Sequence, residues 1–72
     1  MNLENKTVSI TSLSVNTYPP ESKANVTVSE AIAEGIFKTI GVFDITFDEA
    51  FPSIGDPALL NAVYEKLLLI PD

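Results

Sequence analysis

The chain has 72 residues, ten of them acidic against four lysines, with no arginine, histidine or cysteine, and a formal net charge of -6. That inventory excludes disulfides, thiol catalysis and zinc sites of the usual kind, and a negative field without a guanidinium group argues against direct nucleic-acid binding. One small domain spanning 1–72 is expected, and domains of this size reach only about 3–5 kcal/mol of stability unless disulfides, a metal or oligomerisation contributes, which here leaves oligomerisation.

Residues 1–5 are polar and are expected to fray. Residues 7–15 are rich in β-branched side chains with period-two alternation, the signature of a strand. The phase changes midway, because Val8 and Ile10 share one face whereas Leu13 and Val15 fall on the other. One extra residue near Thr11 and Ser12, as in a β-bulge, returns all four to one side; the alternative is a strand buried in part on both faces. Residues 16–23 then read as a connector, since Pro19 and Pro20 lack N–H donors and force Tyr18 to be extended.

From residue 27 to about 40 the spacing predicts a helix. Thr27 and Glu30 match a capping box, Val26 and Ala31 match a hydrophobic staple, and Ile32, Ala33, Ile36, Phe37 and Ile40 form an apolar stripe. Glu30, Glu34 and Lys38 line its outer face, and Gly41 stands at the C-terminal cap position. Alternatively, residues 25–28 add a short strand before a helix starting at Ser29. Residues 42–47 alternate again, with Phe43, Ile45 and Phe47 on one face and Val42, Asp44 and Thr46 on the other. Residues 48–55 form a loop whose Phe51 and Ile54 tuck under the core.

Asp56 and Pro57 give a sharp start to a last helix, as cap and first helical residue. Its expected buried stripe is Leu60, Val63, Tyr64, Leu67 and Leu68, yet Ala58, Leu59, Ala62, Leu69 and Ile70 fall outside that stripe. A helix apolar nearly all round needs more cover than so short a chain supplies. The expected fold class is α+β: a two- or three-stranded antiparallel or mixed sheet with two helices on one face, in the order β-(β)-α-β-α.

Candidate chemistry is sparse. Asp44, Thr46, Asp48 and Glu49 could offer oxygens to a hard cation, but the EF-hand glycine and distal glutamate are missing, and a solvated strand edge is the better reading. Glu30 and Glu34 resemble paired carboxylates, but Lys38 completes an ordinary solvated face. No His or Cys stands ready as a base or nucleophile, and the glycines at 35, 41 and 55 are too dispersed to cradle a phosphate. No catalytic residue, cofactor or metal is expected.

The N-terminus MNLENKTVS carries neither a basic leader nor an apolar core, and the longest apolar run near the C-terminus, residues 67–70, is four long. The expectation is a cytoplasmic protein without a membrane span, with a virus particle as one further setting. The leading functional expectation is a non-enzymatic structural or interaction protein, a homo-oligomer or the partner of another protein, as in a small accessory subunit of a larger assembly. Its interface would be Leu59, Leu60, Val63, Tyr64, Leu67, Leu68 and Leu69. The alternative is an acidic inhibitor or adaptor that binds a basic protein, imitating nucleic acid, through Glu30, Glu34, Asp44, Asp48 and Glu49.

Overall fold

The computed structural model describes residues 1–71, so that Asp72, the last residue of the expected domain, lies outside the described residues. Three long strands, β1 (Lys6–Thr17), β2 (Pro20–Ala33) and β3 (Ile36–Phe47), form an antiparallel sheet in the order β1-β2-β3. One helix, α1 (Pro57–Leu68), follows and covers part of one face.

The first strand agrees with its pattern. Val8 lies opposite Val28 and Ile10 opposite Val26; the register then slips by one at Thr11, and Leu13 comes opposite Ala24. The bulge restores Leu13 to the core side, where Val8, Ile10 and Leu13 are half-buried against the core. The expected connector at 16–23 is shorter than anticipated. Its only unpaired residues are Tyr18 and Pro19, joined by a cis peptide, and Thr17 already pairs with Pro20. Asn16 Oδ1 accepts the Tyr18 N–H at 3.2 Å. Pro20 is tolerated because it stands at the first position of its strand.

The two-helix arrangement is overturned here, for residues 27–40 form no helix. They are the second half of β2, a turn at Glu34 and Gly35, and the first half of β3. The apolar positions fit a 3.6-residue period, but Ser22, Ala24, Val26 and Val28 are buried while Glu21 and Lys23 are exposed and Asn25 and Thr27 half-exposed, a period of two. Val26, Thr27, Val28, Ile32, Ile36, Thr39, Ile40 and Val42 are β-branched, which weakens a helix and suits a pleated strand. Gly35 has φ +73°, and so serves as a turn residue in the left-handed region rather than as a helical imperfection. Thr27 and Glu30 are strand residues: Glu30 stands between Lys6 and Lys38 in the ladder.

The core joins Ala24, Val26, Val28, Ile45 and Phe47 of the sheet to Phe51, Leu59, Val63 and Leu67. Phe43, Ile45 and Phe47 face it as anticipated, and Phe51 packs edge-on against Phe47 with centroids 5.4 Å apart. Ile54 does not tuck in but stays exposed. The capped helix start is as read: Asp56 Oδ1 accepts the Ala58 N–H at 3.0 Å. Of its expected stripe Val63 and Leu67 are buried and Tyr64 is half-buried, but Leu59 rather than Leu60 completes the buried line, and Leu68 is exposed. Residues 1–5 are not a loose tail: Met1 and Leu3 pack on the core, Leu3 O accepts from Lys6 N–H, and the Met1 amino group donates to the Leu68 and Ile70 carbonyls.

Candidate interaction surface

Element lengths decide what stays uncovered. Twelve helical residues span about 18 Å, whereas a 14-residue strand spans roughly 46 Å. The molecule is accordingly elongated, 44 × 24 × 17 Å, and the helix roofs only the part of the sheet around Ala24 to Val28. Beyond it the β2–β3 hairpin continues as an arm. Ile32 is 61% exposed, Ile36 54%, Phe37 59% and Val42 60%, with Ile40 also exposed.

Two bulges shape this arm. Between the pairs Val28–Gly41 and Ser29–Thr39 the residue Ile40 is extra on β3, and between Ala31–Phe37 and Ala33–Ile36 the residue Ile32 is extra on β2. The Ile40 bulge reverses the face parity of β3. Before it Lys38 is on the helix side and Phe37 and Thr39 on the open side; after it Gly41, Phe43, Ile45 and Phe47 are on the helix side and Val42, Asp44 and Thr46 on the open side. The open side is otherwise hydroxyl-rich, with Thr7, Ser9, Ser12 and Ser14 of β1 beside Asn25, Thr27 and Ser29 of β2. At its middle Thr11 Oγ1 lies 2.6 Å from Asn25 Oδ1, and Asn25 Nδ2 donates to Asp44 Oδ1 at 2.9 Å.

The residues expected at a helix interface divide into two groups. Leu59, Val63 and Leu67 are wholly buried in the chain's own core, and Tyr64 is half-buried; Leu60, Leu68 and Leu69 remain exposed. The acidic residues do not gather: Glu34 is at the arm's turn, Glu30 lies between two lysines on the helix side, Asp44 is held by Asn25 on the open side, and Asp48 and Glu49 follow β3. Among the described residues no three of His, Cys, Asp and Glu come together as cation ligands. A shallow hollow of about 340 Å³ lies between Ile10, Ile54, Gly55, Pro57 and Leu60, and the one carboxylate on its wall, Asp56, is already committed to capping the helix.

The arm is not apparent from the sequence because its apolar residues also fit a buried helical stripe. The signal that could have found it is the Glu34-Gly35 pair between two runs rich in β-branched residues, a hairpin turn in β-favouring surroundings. Among the described residues no helix is long and apolar enough to cross a membrane. Comparison of the chain with models of protein families, with characterised proteins and with solved structures gives no match.

Proposed function

We propose that this is a non-enzymatic interaction protein that self-associates, acting through the distal arm of the β2–β3 hairpin. The observation that carries the reading is the exposure of Ile32, Ile36, Phe37 and Ile40 on an arm that the helix does not reach, continued by Val42 on the sheet face opposite the helix. Exposed apolar groups of this size gathered on one hairpin arm of a small domain mark a contact surface, and a smaller group, Leu60, Leu68 and Leu69, stays exposed on the helix. The helix contributes less than its composition promises, since its main apolar line is spent on the core.

Light scattering across a wide concentration range tests this. The unaltered protein should exceed its 7.8 kDa monomer mass as concentration rises, and its melting temperature should rise with it. The double variant Ile36→Ser, Phe37→Ser should stay at monomer mass, whereas Leu68→Ser, Leu69→Ser should assemble as before. Assembly that survives the first variant and disappears in the second would move the surface to the helix end.

A further inference from the structure

We infer that the occupant of this surface is a second copy of the same chain, joined β3 to β3 in antiparallel fashion about a two-fold axis through Val42, so that two three-stranded sheets become one of six strands. This rests on self-association through the hairpin arm and adds the strand edge, the two-fold axis and the register.

β3 is an edge strand of twelve residues without proline, and its outward N–H and C=O groups form an open template for another strand. The other edge, β1, is a poorer candidate: it carries Val15 as its one exposed large apolar residue among those described, against Ile36, Phe37, Ile40 and Val42 on β3. A β3-to-β1 contact would also propagate from copy to copy without closing, whereas a two-fold contact closes.

The register follows from face parity. Side chains paired across a continuous sheet must lie on the same face. A dyad at Val42 sets Val42 against its own copy and Gly41 against Phe43, all with matching faces. Past the Ile40 bulge, Thr39 meets Asp44, Lys38 meets Ile45, Phe37 meets Thr46 and Ile36 meets Phe47, again face to face. The bulge that would obstruct a straight ladder is thus what allows all of β3 to pair, end to end. Its rivals fail. A dyad at Asp44 opposes two carboxylates, and a dyad at Phe43, with Ile40 skipped in the same way, keeps face parity through Thr39–Thr46 and Lys38–Phe47 but leaves Ile36 and Phe37 beyond the end of the partner's β3. In the Val42 register Asp44 meets a threonine hydroxyl, and β3, with one lysine and one aspartate, brings no net charge to its copy.

Because the chain has no cysteine, single cysteines report the geometry cleanly. Cα atoms directly opposite in an antiparallel pair are about 4.5–5.5 Å apart, within reach of a disulfide. Under a glutathione redox buffer, Val42→Cys should form a covalent dimer at concentrations where Val15→Cys, on β1, does not. Val42→Lys, which sets two ammonium groups at the axis, should reduce the assembly to monomer without lowering the dilute melting temperature. If the protein assembles and assembly depends on Ile36 and Phe37, but Val42→Cys fails to link, the β3 dyad is wrong while the arm remains the contact surface. Monomer at every concentration would overturn the second copy as occupant, and equal linking through Val15→Cys would overturn the choice of edge.

Discussion

Ser22 is a fully buried polar residue in a core otherwise made of Ala, Val, Leu, Ile and Phe. Its Oγ accepts the Phe51 N–H at 2.9 Å and so fixes the point at which the chain leaves β3 and turns beneath the sheet. Removing a partner from a buried donor costs more than the bond itself is worth, about 1–3 kcal/mol. Ser22→Ala should therefore lower the urea midpoint by that equivalent, and an unchanged midpoint would mean that Phe51 is held by its ring contact alone. Residues of this kind are illegible in sequence: Ser22 sits in a stretch that reads as a proline connector, and nothing local marks its hydroxyl as an acceptor for a group 29 positions away. The Thr11 bulge is the opposite case. It was legible because Val8, Ile10, Leu13 and Val15 could share a face only with one residue inserted. Gly41 is intermediate: the Phe43 ring lies where its Cβ would be, at 2.8 Å, so it is a strand glycine covered by its neighbour rather than a helix cap.

At the level of elements, the helix start was legible from Asp56 and Pro57 because capping is local chemistry. The buried face was legible only in part, since Val63 and Leu67 belong to the expected stripe and Leu59 does not. With leucines at 59, 60, 67, 68 and 69, several stripes satisfy the helical period almost equally, and the sheet beneath selects the one through Leu59, Val63 and Leu67. This has a measurable consequence. Leu67→Ala should cost about 2–5 kcal/mol by opening a cavity under the helix. Leu69→Ser, two residues on and 79% exposed, should change dilute stability by no more than about 0.5 kcal/mol. A similar loss from both would contradict the packing. The helix expected across the β2–β3 turn has a related origin: its isoleucines satisfy both periods, and the capping pattern at Thr27 and Glu30 favours a helix whereas the β-branched content favours a strand.

On the scale of the molecule, the sequence argument for assembly and the structural one start from the same surplus of apolar residues and place it differently. The sequence argument puts it on the last helix; in the structure the exposed apolar residues divide between that helix's end, at Leu60, Leu68 and Leu69, and an arm without a core of its own, at Ile32, Ile36, Phe37 and Ile40. Stability should be graded along the sheet as a result. In the monomeric Ile36→Ser, Phe37→Ser variant, amides near Ala24, Val26 and Val28 should exchange only through global unfolding, while those flanking Glu34 and Gly35 exchange through local opening. In the unaltered protein at high concentration, amides on the outer edge of β3 should gain protection. Flat protection along the whole sheet in the variant would mean that the arm is stabilised by something other than the helix-covered core.

Each of the sheet's two turns has two residues, Tyr18-Pro19 and Glu34-Gly35, so neither has slack to absorb a change in length. A single residue inserted into a strand would exchange the inward and outward faces of everything beyond it. Lengthening or shortening the sheet is therefore tolerable in steps of two, or of one where a bulge takes up the difference. Thr11, Ile32 and Ile40 are what such absorbed single steps look like. Deletion of any one of them alone would leave a regular ladder with both flanks on their present faces, whereas deletion of a paired residue away from the bulges, such as Ile45, would exchange the faces beyond it, a loss of folding set by parity rather than by the size or polarity of the side chain removed.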